Sequence, residues 1–500
     1  MPAPGARPPA ATSLPLHGLV LAVALSGCAS FRTMTTPGEG GPDWRELTSD
    51  HFVLSTDLSS EDARASIQVL ERTRQALLVA AWGNRSGGPK PKVDVVILAH
   101  AAALADLAGG GGPVGWVHAG SGRLLMVLSG SAQDIAAQPI VRHELFHSLA
   151  AFLLVNQPSW VNEGLAEYME TLEVSLEEPQ VVLGRASRGR VSQYVRSPLS
   201  VGRLLSQANQ PLDWEDPKFI AGYYGTSWVL VHYLRSQHGD AFVGFQAAVG
   251  GGLSPEDAWK RFFGDLTVAG LDRDLLTYAK TGSFPVATFN VPLGPPWQAQ
   301  ERPLSEVEVL LLRERLRQNA PVLRSKELTL AALRDVDRAI QLDPLNGTAL
   351  EEKGLLSGWP AVVPAIERRL AEHRHEWQTW WLVALAAHAG ALPKEREEEG
   401  LQKASRLAGD NPDVLHALAL HDLQIGNAAA ALPLVTRAAE LAPWNSAILL
   451  TAAKVEKQTG HCVEAALLAR AAANAMLQHR PEKPGAAYQE AALLAQDKCG

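Results

Sequence analysis

Toward the end of this 500-residue chain the same residues return every 34 positions. Asn411 and Asn445, Gly426 and Gly460, Ala431 and Ala465, and Ala408 and Ala442 each stand 34 apart. The surrounding sequence is rich in alanine, helical in its apolar period and punctuated by Gly or Pro. A period of this length leaves few folds open. Each unit is a helix–turn–helix that cannot bury its own apolar face, so several units must stack, and a last helix must cap the stack.

A 34-residue helix–turn–helix period is the signature of tetratricopeptide repeats. AIQLDPLNGTAL at 339–350 and WWLVALAAHAG at 380–390 have the look of further repeat junctions. Residues 303–500 are therefore expected to hold about four or five units, some degenerate. A generic helical bundle is the alternative, because only the final two units match cleanly. The concave face of such a solenoid binds peptide or protein, and nothing in this region suggests chemistry. Residues 286–302, proline-rich and without period, are read as a linker.

Upstream, the pattern changes. WRELTSDHFVLSTD, KVDVVILA and RLLMVLSG alternate or run apolar as strands do, and SSEDARASIQVLERTRQALLVAA reads as an amphipathic helix opened by Ser60. Residues 44–285 thus form an expected α+β domain, with GGGG at 109–112 as a loop. The net charge of -8 gives no basic face, which argues against nucleic acid as a partner. No apolar run beyond residue 30 is long enough to span a bilayer.

The first residues read as a targeting segment. Arg7 precedes the apolar run LHGLVLAVAL, which is too short for a spanning helix and ends in LSGC. LSGC resembles the lipobox of bacterial lipoproteins. The resemblance implies a signal peptide over 1–27, lipidation of Cys28 and a tether over 28–43. Ala29 after the cysteine favours the outer membrane by the same resemblance, so the expected location is the cell envelope, with the membrane reached through the lipid anchor. A plain secretory signal is the alternative. Cys462 and Cys499 remain, near the start of one expected helix and the end of the next. They are a candidate disulfide in an oxidising compartment, with two free thiols as the alternative.

The chemistry concentrates in HELFHSLAAFLLVNQPSWVNEGLAEY, residues 143–168. His143 and His147 are four apart, so a helix puts both imidazoles on one face, one turn apart, where they can grip one metal ion. Zinc takes neutral nitrogen ligands and keeps an open position for water, whose pKa it lowers to about 7. Glu144 is placed to take that water's proton. Glu163, on a second helix from about Val161, supplies the third ligand, and His₂Glu is an established catalytic zinc set. Glu167, one turn on, is placed to accept a ring N–H from a ligand histidine and fix its tautomer. The plain alternative is a polar stripe on a core helix.

HELFH followed by WVNEGLAEY resembles the gluzincin metallopeptidases, and among them the bacterial peptidase MA-like group. The resemblance covers roughly residues 44–283. It implies a zincin-like fold, one zinc ion on His143, His147 and Glu163, Glu144 as general base and Glu167 as the supporting carboxylate. It also points to YYGTSWVLVHYL at 223–234, where Tyr224 would donate to the oxyanion, with Tyr223 as the near alternative and packing as the plain one. His232 is read as core and His118 as a loop residue. The gap between His147 and Glu163 is shorter than in the gluzincin aminopeptidases, which puts the geometry in question. Their GxMEN segment is also missing: GWVHAGSGRLLMVLSG carries no glutamate. An internal peptide bond is therefore the expected target, bound by strand addition.

The expectation is an α+β zincin-like metallopeptidase domain followed by an all-α tetratricopeptide-type solenoid, acting on a peptide or protein substrate with a protein partner on the repeats. The alternative is a lipoprotein adaptor or assembly factor whose zinc site only staples the fold.

Overall fold

The computed structural model describes residues 34–83, 88, 91–107, 116–118, 123–207, 216–319, 326–478 and 485–496. The expected signal peptide, Cys28, the GGGG loop and Cys499 lie outside the described residues.

Eight strands are described: β1 (Arg45–Thr48), β2 (Phe52–Thr56), β3 (Val93–Leu98), β4 (Trp116–His118), β5 (Leu125–Ser129), β6 (Gln180–Leu183), β7 (Ala287–Asn290) and β8 (Gln300–Pro303). Six form one sheet in the order β4-β5-β3-β2-β1-β8, and β6 pairs with β7. β2, β3 and β5 run parallel, while β1, β4 and β8 join antiparallel. The expected single strand of 44–57 is a β1–β2 hairpin, because the turn at Ser49–His51 folds the segment back on itself.

The central strands are apolar on both faces, so both must be covered. Val95, Ile97, Met126 and Leu128 face one core. That core holds α1 (Ser60–Trp82), α3 (Ala132–Ala137), α4 (Pro139–Leu153) and α5 (Ser159–Met169). Val96, Leu98, Leu125 and Val127 face the other way, onto α2 (Ala101–Leu107) and α12 (Glu306–Asn319). Between these lie α6 (Arg188–Arg196), α7 (Val201–Ser206), α8 (Pro217–Gln237), α9 (Gly239–Gly250), α10 (Pro255–Phe263) and α11 (Val268–Thr281).

Helices then continue as α13 (Lys326–Leu342), α14 (Gly347–Ser357), α15 (Val363–Glu372), α16 (Trp377–His388), α17 (Glu395–Ala408), α18 (Pro412–Gln424), α19 (Ala428–Leu441), α20 (Ser446–Gln458), α21 (Cys462–Gln478) and α22 (Ala486–Gln496). From α12 onward they pack as successive hairpins with α22 against the last, a tetratricopeptide-like array. The 34-residue period has a local cause. Asn411 and Asn445 each cap a hairpin's first helix by accepting two backbone N–H bonds. Gly390, Gly426 and Gly460 turn the chain into the second helix at φ of 75, 82 and 88°, a region that favours glycine. Cys462 is disulfide-bonded.

Two expected boundaries give way. Residues 286–302 are not a free linker, since β7 lies in them and β8 begins there. The prolines Pro292, Pro295 and Pro296 crowd the loop between two strands of four residues each, too short to show a clear alternation. Arg72 holds the segment down, donating to the carbonyls of Val291 and Pro292, and also to those of Ser175 and Glu178. Gln68 exchanges two bonds with the Trp297 backbone. The tether, too, is tied from residue 34 on: Arg313 donates to Met34 O and Glu39, and Glu306 accepts from Thr36 and Gly38.

The array touches the sheet domain at both ends. Its first helix covers the sheet, with Arg315 pairing to Asp94 at 2.8 Å. Near the other end, Trp444 meets Phe152 of α4 edge-on at 5.2 Å, and Arg470 donates to Gly252 O at 2.6 Å. No described helix is long and apolar enough to cross a membrane.

Because Arg72 is buried and satisfies four carbonyls, Arg72→Met is expected to cost at least about 3 kcal/mol in chemical denaturation. A loss under about 1 kcal/mol would mean that the segment is not held this way.

Candidate metal centre

α4 begins with Pro139 in its first turn and buries Val141, Leu145, Phe146 and Leu149 against the sheet side, where Trp82 stacks on Phe146. That packing leaves the His143–His147 face turned to α5. The chain returns through a short turn with Asn156 in the left-handed region (φ 61°), and Gln157 pins it by donating to Gln246 O. α5 starts at Ser159, two residues earlier than expected.

Gly164 then decides how deep α5 can sit. A Cβ there would stand 2.6 Å from Val231 Cγ2 and 2.7 Å from Ser227 O of α8. Glycine lets the two helices meet at the backbone, and Glu163 beside it projects toward α4. His143 Nε2 and His147 Nε2 lie 3.0 Å apart, and Glu163 Oε2 is 3.6 and 3.7 Å from them. Four-coordinate zinc with bonds of about 2.0–2.1 Å would space its ligand atoms by roughly 3.3–3.4 Å. The three donors therefore fit one zinc ion in both chemistry and spacing. The trimmed gap between His147 and Glu163 does not prevent this.

Burial opposes charge on His143, yet Glu163 and Glu170 hold its imidazole well above its ordinary value. Against its own burial, Glu163 is held far below the usual carboxylate range by His147 and His143. Such a set attracts cations, and a metal would displace its protons. Burial pushes the Glu144 carboxyl up, while His143 and His147 pull it back.

The ring N–H of His143 differs from expectation. Its Nδ1 meets Glu170 Oε1 at 3.0 Å, not Glu167. Glu170 stands two helical turns past Glu163 at the end of α5, on the same line of the helix as Glu167. Glu167 turns instead to Arg190 of α6, which donates to it. Burial and the Glu170 carboxylate push Glu167 up, and the Arg190 guanidinium in contact with it pulls it back. His143, Glu167 and Glu170 also group closely enough to suggest a second metal position, but the Arg190 guanidinium already supplies the cation there.

On α8, Tyr223 is fully buried, and its hydroxyl faces Ser159 and Glu163. Burial pushes its phenol far up, so it stays a neutral donor. Tyr224 is half-buried beneath the Arg190 guanidinium, 5.3 Å from its ring centre. Of the expected pair, Tyr223 is the one beside Glu163, and Tyr224 is joined to the site through Arg190. His232 is core: Nε2 meets Gly184 O at 2.8 Å, Nδ1 meets the Tyr278 hydroxyl at 2.9 Å, and Tyr168, Trp228 and Phe284 enclose it. His118 stands on the edge strand β4.

Sequence reasoning missed Glu170 and Arg190. The period of α5 could have offered Glu170 as an alternative to Glu167. Nothing local marks Arg190, which arrives from a separate helix.

A family described as a protein of unknown function, DUF1570, matches residues 137–250, which include every residue of this site. The search of curated proteins finds no relative. Among solved structures, the chain is similar to the crystal structure of MamA, at 13% identity over 35% of this chain and 92% of that one, with a TM-score of 0.24. It is also similar to yeast Tom70, at 12% identity over 72% and 70%, with a TM-score of 0.26. Neither likeness is close enough to carry an argument, and nothing in these matches supports a zincin-like fold.

Gly164→Ala is expected to push α5 off α8 and cost about 1–3 kcal/mol. It should also weaken zinc binding, read by chelator competition. An unchanged denaturation midpoint would contradict the close contact at Gly164.

Proposed function

We propose that this protein is a zinc-dependent hydrolase of internal peptide bonds, with a helical-repeat domain that engages a protein. The observation that carries the reading is the ligand triangle of His143, His147 and Glu163 with a buried-side glutamate, Glu144, next to it. A zinc ion bound by these three would polarise the scissile carbonyl and lower the pKa of water to about 7.

Glu144 takes the proton of the attacking water and passes it to the leaving amine, and a carboxyl raised by burial suits both halves of that task. A tyrosine hydroxyl of α8 donates to the developing oxyanion, with Tyr223 favoured by its buried, neutral phenol beside Glu163 and Tyr224 as the alternative. An extended substrate adds to the outer edge of β4 through backbone bonds. Lipidation at Cys28 and attachment to the outer membrane belong to the same proposal.

One observation favours a second reading. The repeat array is packed onto the site's own helix through Phe152 and Trp444, as it would be in an adaptor whose metal only fixes that interface. Glu144 separates the two, since a structural site has no use for it. The test is bound zinc and cleavage of unfolded protein, measured on the full-length protein and on Glu144→Gln. Near-stoichiometric zinc in both, with cleavage reduced at least about 100-fold in Glu144→Gln, is expected of the hydrolase. Zinc in both with no cleavage by either would favour the adaptor. No zinc in either would overturn both metal readings.

A further inference from the structure

Four carboxylates crowd one imidazole. Glu144, Glu163, Glu167 and Glu170 all act on His143, and Glu167 is only 1% exposed. A buried carboxylate without a cation is costly. Arg142 forms no ion pair with them among the described residues: its guanidinium donates to the backbone carbonyls of Glu170 and Ala136 and feels the Glu170 charge only at longer range. Arg190 does. Its Nε donates to Glu167 Oε2, and its Nη2 lies 3.8 Å from Glu170 Oε1, the same oxygen that faces His143 Nδ1. Its Nη1 donates to Gln193 at 3.1 Å, which fixes the plane of the fork, and the guanidinium covers the Tyr224 ring.

The backbone is shaped to bring Arg190 there. At Gly222 a Cβ would stand 2.6 Å from Ser197 O, and at Gly225 it would stand 2.7 Å from Tyr194 N and 3.1 Å from Arg190 O itself. Two glycines on one face of α8 let α6 lie against it almost backbone to backbone.

We infer that Arg190 is a positioning residue of the metal centre, linking Glu167, Glu170 and Tyr224 so that His143 presents Nε2 toward His147 and Glu163. The inference rests on the metal reading above. Arg190 touches neither metal nor substrate. It holds Glu167 and Glu170 side by side, so that Glu170 stays an acceptor for the Nδ1–H and the His143 tautomer is fixed. It also ties the supporting carboxylates to the helix carrying the candidate oxyanion donor, so that α5, α6 and α8 respond together.

The test uses the full-length protein loaded with zinc or cobalt(II), with Arg190→Gln, Arg190→Lys, Glu167→Gln and the Arg190→Gln/Glu167→Gln pair. Competition with a chromophoric chelator reads affinity, visible absorption of the cobalt form reads ligand geometry, and circular dichroism reads folding. Arg190→Gln is expected to bind zinc about 10–100-fold more weakly and to shift the cobalt spectrum. Arg190→Lys, which keeps the charge but loses the fork, should fall between. The double variant should lose less than the sum of the single losses, because the charge that Arg190 offsets is gone. Wild-type affinity and spectrum in Arg190→Gln would overturn the inference while leaving the metal reading intact. Should Arg190→Gln fail to fold, Arg190→Lys and the double variant decide, and unchanged binding in Arg190→Lys with a fully additive double variant would overturn it. A wild-type protein that binds neither ion removes the metal reading itself.

Discussion

Contact between α5 and α8 at Gly164 sets where Glu163 can be, and the site follows from that distance. With a side chain at 164, α5 would have to move away from Ser227 and Val231. Glu163 would then leave the histidine pair it now approaches within 3.7 Å. The same device recurs at Gly222 and Gly225, which seat α6 and thereby Arg190. α8 is therefore the platform of the site: buried along most of its length, it receives one helix that carries a candidate ligand and another that carries the counter-charge.

The sequence made much of this legible for identifiable reasons. The i, i+4 spacing of His143 and His147 has one geometric meaning on a helix, and the NEG context put Glu163 within reach. The 34-residue period was visible because the capping asparagines and turn glycines each answer a local backbone need. What stayed hidden depends on tertiary contact. Glu167 and Glu170 share a helix line, and only the arrival of Arg190 from α6 assigns one to the guanidinium and the other to His143. Residues 286–302 read as a linker because Pro292, Pro295 and Pro296 crowd the loop between two four-residue strands, and Arg72, more than two hundred residues earlier, is what holds them.

The join between the two halves was also invisible in the pattern. A repeat helix ordinarily packs on its neighbours alone, yet α12 closes the second face of the sheet with Val309 and Leu316. At the far end Trp444 reaches Phe152, five residues past His147 on the same helix. A protein bound along the array, as proposed above, would meet a packed contact to the helix that carries two of the candidate ligands. That arrangement suits either a hydrolase whose substrate is presented by the repeats or an adaptor stiffened by a metal.

X-ray absorption at the zinc edge of the full-length protein tests the central claim most directly. The account predicts a four-coordinate ion with two imidazole nitrogens and light oxygen ligands, all at about 2.0–2.1 Å and with no sulfur. A sulfur shell at about 2.3 Å, or a spectrum unchanged when Glu163 is replaced by alanine, would contradict it.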